Sequence, residues 1–247
     1  MKENDIKIKK TLIITATNDR PTLLKQTMAS VLTQTESNFL YVVVNNGPSE
    51  PTKDLVEKLQ KEDGRIKYVE FNEVKGAAAA RNKGLEYMDD SINFVKFLDD
   101  DDLFENRNSL KDLVEALDNK TGFVFAKVKK IDESGNKICI TDKITQGLST
   151  ILEKASFPCQ SVLFSREIML RLGGFITLKS SEDLELMCRA FVLTKETGLK
   201  PKFLDKVVVC YRKHSNSLNF VNKQNGSKDQ ATALIRSRFS FACKGSL

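Results

Sequence analysis

The sequence predicts an α/β protein built on a mostly parallel sheet flanked by helices. Short apolar runs alternate with segments of helical periodicity through the first hundred residues, and continuously apolar strands are typical of parallel sheets covered on both faces. Polar clusters follow the ends of these runs, where ligands bind in open α/β sheets. The 247 residues show no internal repeat and no sharp linker, so we expect a single domain with an elaborated C-terminal half.

The first half of the chain supplies the regular part of this prediction. The run 39–44 is β-branched and aromatic, which indicates a buried strand, and Asn-Asn-Gly-Pro ends it. Apolar residues at helical spacing behind Pro21 indicate the first helix. The predicted order is strand 11–15, helix 21–35, strand 39–44, helix 54–61, strand 66–71, helix 76–88 and strand 93–98.

The second half is less regular. Two short runs around Ser134-Gly135-Asn136 predict a hairpin. A helix is expected to end at Gly173-Gly174, and the segment 219–228 is interpreted as a mobile loop. The remaining predicted elements are strands 123–131, 137–140 and 207–211 and a helix from Glu182 to Phe191.

Composition and charge exclude several classes of protein. The five cysteines are odd in number and form no C-x-x-C pair, which excludes a zinc motif or a disulfide framework. The polar start and the absence of a long apolar run predict a cytoplasmic protein without a membrane span. Residues 200–247 hold ten Lys or Arg against two Asp, so a solvated tail and peripheral contact with an anionic membrane both stay open. No nucleic-acid reader motif is present, and no nucleic-acid partner is expected.

Four adjacent carboxylates, Asp99 to Asp102, directly follow the predicted strand 93–98. Adjacent carboxylates repel one another, so a fold that gathers them at a strand end needs compensation. A divalent cation supplies it, because Mg²⁺ and Mn²⁺ favour oxygen ligands. The alternative is an acidic turn that caps a following helix, above all at Asp102. The strand-end position favours the metal site.

Three further motifs are candidates for chemistry. A run of small residues, Gly76 to Ala80, leads to Arg81, whose guanidinium can form two hydrogen bonds to a phosphate. The alternative interpretation of this motif is a tightly packed helix in which Arg81 forms a structural ion pair. Glu182-Asp183 could supply a general base, or simply acidic residues favoured by a helix start. His214, the single histidine, lies in a basic segment suited to a diphosphate.

Taken in order, the segments VVVNNG, GAAAARN, FLDDDD, GGF, ED and YRKHSNS resemble glycosyltransferase family 2, which has the GT-A fold. The resemblance spans about residues 10–218. It implies a GT-A domain over 1–218, with a nucleotide-binding half of about 10–102 and an acceptor-binding half of about 103–218. Residues 219–247 would form a basic C-terminal extension.

The resemblance also implies an activity. Most members invert the anomeric centre and use nucleotide-diphosphate sugars, so we expect a UDP-sugar donor, a glycan or lipid-linked sugar as acceptor, and bacterial-type polysaccharide or glycoconjugate synthesis. The implied cofactor is Mn²⁺ or Mg²⁺. The implied site comprises Asp183 as base beside Glu182; Thr15, Ala16, Asn18, Arg20, Asn45, Asn46, Arg81, Asp99 and Asp100 around the nucleotide; and Asp101, Asp99 and His214 around the metal.

Two hypotheses from other classes of protein are weighed against this activity. The Asn45-Asn46 pair replaces the aspartate usual in the family, and an amide can donate as well as accept a hydrogen bond. A non-catalytic module that binds sugar nucleotides or glycans is therefore the alternative. A nucleotidyltransferase is disfavoured, because residues 15–18 after the first strand contain no glycine.

Overall fold

The computed structural model describes residues 9–141, 147–154, 157, 159–178, 180–215 and 217–244, without the side chains of 218–220 and 241–244. Its first half is a parallel sheet of four strands in the order β3-β2-β1-β4. The strands are β1 (Lys10–Thr17), β2 (Phe39–Asn45), β3 (Ile66–Glu70) and β4 (Ile92–Phe97), and the helices between them are α1 (Pro21–Leu32), α2 (Glu50–Glu62) and α3 (Ala77–Leu85). All seven predicted elements of this half are confirmed, with small shifts at their ends.

Local chemistry explains where these helices lie. Pro21 occupies the first turn of α1, where its missing N–H costs nothing. The Ser49 side chain caps α2 by accepting from the Thr52 N–H at 3.3 Å. On α3, a Cβ added at Gly84 would lie 2.5 Å from the Ile14 side chain. The small residues of α3 therefore let this helix pack directly on β1.

The second half adds short antiparallel pairings, so the sheet is mixed, while its long pairings stay parallel as predicted. Strand β8 (Leu163–Ser165) runs antiparallel to β4, and β6 (Thr121–Ile131) runs antiparallel to β8. Strand β9 (Lys200–Arg212) is parallel to β6, and the short β5 (Leu103–Phe104) closes that edge. The predicted hairpin is confirmed as β6 and β7 (Lys137–Ile140).

Helices cover both faces of the sheet. Because side chains alternate along a strand, Leu12 and Ile14 of β1 belong to one core and Ile13 to the other. The helices of the second half are α4 (Ser109–Ala116), α5 (Leu148–Lys154), α6 (Arg166–Leu172), α7 (Glu182–Thr197), α8 (Leu218–Gln224) and α9 (Ser227–Lys244), with a 3-10 helix at Cys159–Ser161. Helices α1, α2 and α4 pack on the Ile13 face, and α3, α5, α6, α7 and α9 pack on the Leu12 face.

The basic C-terminal segment belongs to the folded domain. The prediction of a mobile loop over 219–228 is wrong, since α8 and the first turn of α9 occupy it. Helix α9 buries Ile235 and Phe239 in the core that α5 and α7 share. Its Arg238 reaches Glu185 of α7 at 3.3 Å. Among the described residues, no helix is both long and apolar enough to cross a membrane.

We predict that Phe239→Ala lowers the free energy of unfolding by about 3–5 kcal/mol, because it removes a buried ring from the α5–α7–α9 core. Leu234→Ala on the same helix is the control, since Leu234 is 59% exposed, and a change within about 0.5 kcal/mol is expected. Urea unfolding monitored by circular dichroism measures both. Equal effects of the two substitutions would show that α9 does not contribute to the core.

Candidate functional site

A cleft of about 600 Å³ opens at the carboxyl ends of β1 and β4. The edge is the one expected for an open α/β sheet, because the strand order changes direction there: β1 lies between β2 and β4. The predicted site residues on its walls come from the end of β1 and the loop after it, from α3, from the residues after β4 and from the start of α7, and residues of β6, α5, β9, α8 and α9 line its other side. The predicted site residues that line it are Ala16, Arg20, Arg81, Asp99, Asp100, Asp101, Glu182 and Asp183.

Arg20 compensates the buried Asp100. The Asp100 carboxylate is fully buried and accepts hydrogen bonds from Thr17 Oγ1 at 2.7 Å and from Arg20 Nε at 3.0 Å. A second guanidinium nitrogen of Arg20 donates to Asp101 Oδ2 at 2.9 Å. Burial raises the pKa of Asp100 to about 7, with Arg20 opposing that shift. One guanidinium therefore bridges two neighbouring carboxylates.

Arg81 makes a second bridge, between the end of β4 and the start of α7. It donates to Asp99 Oδ1 at 2.7 Å and to Glu182 Oε1 at 2.9 Å. The other oxygen of Asp99 accepts from Gln160 Nε2 at 2.8 Å. Burial alone would raise the pKa of Asp99, but the Arg81 charge and the Gln160 hydrogen bond hold it below its usual value. The structural ion pair foreseen for Arg81 is thus present, and it joins two walls of the cleft.

Asn82, next along α3, fixes the Gly-Gly-Phe turn. Its side-chain oxygen accepts from the Phe175 N–H at 2.8 Å, and its amide donates to the Phe175 carbonyl at 2.8 Å. Arg81 lies 5.3 Å from the centre of the Phe175 ring. The GAAAARN segment and the GGF turn therefore contact each other, although 93 positions separate Asn82 from Phe175.

Asp101 and Asp102 complete the acidic cluster. Asp101 Oδ2 lies 2.8 Å from His214 Nε2, besides its contact with Arg20. Asp102 does not cap a helix: its Oδ1 accepts from the Arg212 backbone N–H at 2.9 Å, and the next element is β5. Its Oδ2 is buried and has no hydrogen-bond partner among the described residues. Burial raises the pKa of Asp102.

The cluster fits a hard divalent cation. One carboxylate oxygen each from Asp99, Asp101 and Asp102 lie within 4.8 Å of one another, and the orphaned Asp102 oxygen is a buried acceptor in need of a partner. Two of the three predicted ligands, Asp99 and Asp101, belong to this cluster, and the third, His214, contacts Asp101. A histidine bonded to a ligating carboxylate orients that carboxylate.

Arginines compensate most of the charge of the four adjacent carboxylates. Crowding of four carboxylates does not by itself require a metal, because Arg20 and Arg81 already pair with three of them. Lys96 adds a third cation and was missed at the sequence level. It is fully buried on β4, where its Nζ donates to the carbonyls of Phe97, at 2.8 Å, and of Gln160. Burial lowers its pKa to about 8. A lysine inside an otherwise apolar strand was the available signal.

Asp183 is poised to take up a proton. It stands in the first turn of α7, behind Ser181, whose φ of +63° is unusual for a residue other than glycine. The Leu184 N–H donates to its Oδ1 at 2.8 Å. Burial and the neighbouring charge of Glu182 raise the pKa of Asp183 to about 6. This carboxylate is therefore a better proton acceptor than an ordinary aspartate.

Four predicted nucleotide contacts do not line the cleft. Thr15 is fully buried and accepts a hydrogen bond from the Tyr41 hydroxyl at 3.1 Å. Asn45 is fully buried as well, and its amide donates to Tyr68 and Glu70 on β3. The exposed Asn18 lies outside the cleft, near Gly47.

Asn46 has a role in the loop before α3. Its Oδ1 accepts from the N–H groups of Lys75 at 2.8 Å and Gly76 at 3.0 Å. Gly76 has a φ of +94°, which explains a glycine at the start of α3. In this structure, Asn45 and Asn46 therefore hold the loops around the cleft in place, and do not contact its interior.

The family is decided by sequence. The family described as Glycosyl transferase family 2 matches residues 11–171. The chain belongs to glycosyltransferase family 2. It is similar to the putative teichuronic acid biosynthesis glycosyltransferase TuaG of Bacillus subtilis, with 27% identity over 160 residues, 63% of this chain and 62% of the relative. It is also similar to WfgD of Escherichia coli, a UDP-Glc:alpha-D-GlcNAc-diphosphoundecaprenol beta-1,3-glucosyltransferase, with 29% identity over 148 residues, 59% of this chain and 56% of the relative.

Solved structures show the same fold. S. aureus TarS 1-349 in complex with UDP-GlcNAc superposes with a TM-score of 0.67 at 20% identity, over 94% of this chain and 73% of that one. The mannosyltransferase PcManGT of Pyrobaculum calidifontis, in complex with GDP-Man and Mn²⁺, superposes with a TM-score of 0.62 at 19% identity, over 86% of this chain and 58% of that one. The predicted GT-A fold is confirmed. This family 2 chain spans less than two thirds of the length of TuaG and of WfgD.

Arg20→Met should lower the free energy of unfolding by about 3 kcal/mol in the presence of EDTA, because it leaves the buried Asp100 without its cation. Added Mn²⁺ should restore part of this loss and also stabilise the wild type, since it would neutralise the same cluster. Arg171→Met is the control, because Arg171 and its partner Glu167 are each 54% exposed.

Urea unfolding and thermal shift, each with EDTA or Mn²⁺, provide the readings. If Arg20→Met is no less stable than Arg171→Met, Arg20 does not stabilise the cluster. If Mn²⁺ does not change the melting temperature of the wild type, the cluster is not a metal site.

Proposed function

We propose that this chain transfers a sugar, with inversion, from a nucleotide-diphosphate sugar to an acceptor hydroxyl in bacterial-type polysaccharide or glycoconjugate synthesis. One observation carries the proposal. Asp99, Asp100 and Asp101 line a single cleft with Asp183, and Arg81 links Asp99 to Glu182, the neighbour of Asp183. In this proposal, the acidic cluster and its cation stabilise the leaving group, and Asp183 removes the proton from the acceptor hydroxyl.

The donor is proposed to lie over β1 and β4. Ala16 and the small residues Gly76 to Ala78 line this part of the cleft and leave room for close approach of a ligand. Lys75 and Arg81 supply positive charge beside them. A UDP-sugar is the proposed donor, and the fold of TarS, solved with UDP-GlcNAc, supports this choice.

Mn²⁺ or Mg²⁺ is the proposed cofactor, held by Asp99, Asp101 and Asp102. When bound, the ion would neutralise charge that builds on the departing diphosphate. Arg20 and His214 hold Asp101 from two directions and fix its orientation. The Mn²⁺ titration of the wild type and of Arg20→Met, described above, tests this proposal independently of turnover.

The reaction is proposed to be a single displacement. The acceptor oxygen attacks the anomeric carbon while the bond from that carbon to the diphosphate oxygen breaks, and its electron pair leaves with the nucleotide. The acceptor proton passes to Asp183. A hydroxyl resembles water, whose pKa is about 15.7, so proton transfer must accompany attack. Leu184 N–H holds one Asp183 oxygen, which leaves the other to accept the proton.

We predict that Asp183→Asn binds UDP-sugar as the wild type does but loses transfer by at least about 10²-fold, because the amide cannot accept the proton. In the wild type, kcat should rise as pH increases through about 6, where the raised pKa of Asp183 places its ionisation. Only the deprotonated form is active, so activity falls on the acid side. Product formation by mass spectrometry and donor affinity by calorimetry provide the measurements.

Glu196→Gln, a substitution on α7 outside the cleft-lining set, is the control and should keep wild-type transfer. Full activity in Asp183→Asn would exclude Asp183 as base. Donor binding by the wild type without any transfer or hydrolysis would favour the non-catalytic binding module instead.

We further propose that the protein works in the cytoplasm, in peripheral contact with the inner face of the membrane. Four cysteines, Cys139, Cys159, Cys188 and Cys210, are free, as in a reducing compartment. Val221 of α8 and Leu234 of α9 are exposed apolar residues in the basic C-terminal segment. Arg236 and Arg238 are already held by the domain, and the side chain of Phe241 lies outside the described residues.

Vesicle flotation tests this contact. The wild type should float with vesicles that contain phosphatidylglycerol, and Leu234→Asp should reduce the bound fraction several-fold by placing a charge at the apolar contact. Leu170→Asp on α6 is the control, because Leu170 is 50% exposed but lies outside the basic segment. Equal flotation of both variants and the wild type would contradict membrane contact through this segment.

A further inference from the structure

Lysines from four separate elements line the cleft on its β6–β9 side. Lys130 lies near the end of β6, Lys154 ends α5, Lys213 follows β9 and Lys228 lies in the first turn of α9. Lys130 and Lys213 are brought close by the sheet, since Lys213 N–H donates to the carbonyl of Ile131 at 2.9 Å. We name Lys130, Lys154 and Lys213 the lysine wall.

No carboxylate among the described residues compensates the charges of the lysine wall. Within the part of the chain that the structure describes, the ammonium groups of these three lysines form no ion pair and no hydrogen bond. Two other lysines of β6 are paired: Lys127 contacts Asp205, and Lys129 donates to Glu105. On the same strand, Lys130 therefore differs in lacking a carboxylate partner.

The acidic residues of the cleft lie elsewhere. Among the described residues they are Asp99–Asp101 and Glu182-Asp183, and the guanidinium groups of Arg20 and Arg81 pair with four of them. A concave wall that gathers uncompensated cations raises the local concentration of anions. The lysine wall is thus ready to bind an anionic ligand, separately from the paired charges at the end of β4.

Topology places this wall on the acceptor side. The proposed donor position lies over β1 and β4, whereas β8 separates β4 from β6 in the sheet. Phe157, Leu178 and Leu184 supply apolar surface to the same cleft. An acceptor with a phosphoryl group next to its sugar would place the anion on the lysines and the sugar against these side chains.

We propose that Lys130 and Lys154, with Lys213 beside them, bind a phosphoryl group of the acceptor, so that the acceptor substrate is an anionic phosphorylated glycan. This inference rests on the proposed function and deepens it. The shared chemistry is a phosphodiester or diphosphate next to the accepting sugar. It can come from a lipid diphosphate or from a soluble polyol phosphate chain.

Binding measured without turnover tests the proposal. The probes are dodecyl-diphosphate N-acetylglucosamine, a glycerol phosphate trimer that carries N-acetylglucosamine, and neutral dodecyl N-acetylglucosaminide. Calorimetry with UDP at saturation compares the wild type with Lys130→Gln and Lys154→Gln. The matched control is Lys58→Gln, at an exposed position on α2 outside the cleft.

At least one anionic probe should bind the wild type more tightly than the neutral glycoside. Lys130→Gln and Lys154→Gln should each weaken that binding about tenfold, the effect of one charged hydrogen bond. Lys58→Gln should not change it, and affinity for UDP should be the same in all four proteins. The probe that depends on the lysines identifies the source of the phosphoryl group.

Three results would overturn the proposal. The first is equal affinity of the wild type for the neutral and the anionic probes, and the second is an unchanged affinity for the anionic probe in both cleft variants. The third is a loss of UDP affinity in those variants as large as their loss of affinity for the probe. The last result would assign the lysines to the donor. Absence of sugar transfer by the wild type would instead reject the proposed function, and the binding results do not depend on it.

Discussion

The arrangement of the site depends on how the buried carboxylates at the end of β4 are neutralised. Arg20 bridges Asp100 and Asp101, and Arg81 bridges Asp99 and Glu182. Burying a charge costs desolvation free energy unless the charge is paired and hydrogen-bonded. Each arginine comes from a different helical connection, so the carboxylates can stay ionised only when the β1–α1 loop and α3 are both in place.

These bridges also join the two halves of the cleft. Arg81 stands on α3, in the parallel half, and reaches the start of α7. Buried Lys96 on β4 contacts the Gln160 carbonyl, while the Gln160 side chain binds Asp99. Arg81 thus connects the acidic cluster to Glu182, the residue before Asp183. A site of this kind keeps its geometry before any ligand arrives, which is what electrostatic catalysis requires.

The C-terminal helix extends the same support to α7. Glu185 is 1% exposed, and both Arg189 and Arg238 pair with it. Because Arg238 belongs to α9, the basic segment is tied to the helix whose first turn carries Asp183. Part of the positive charge of this segment is therefore structural, because Arg238 pairs with the buried Glu185.

Sequence alone determined the strands of the first half, the cleft edge and the main acidic residues, but not the short strands β5 and β8. Strands β1, β2 and β4 are buried on both faces, which makes them continuous apolar runs, and Asp99–Asp102 and Asp183 are recognisable by position and order. Tertiary structure decided the partners. The burial of Thr15 and Asn45, the cation Lys96, the unpaired Asp102 oxygen and the packing of α9 all depend on residues distant in the chain. Periodicity reports which side of an element is apolar, but it does not report which distant group completes a hydrogen bond or an ion pair.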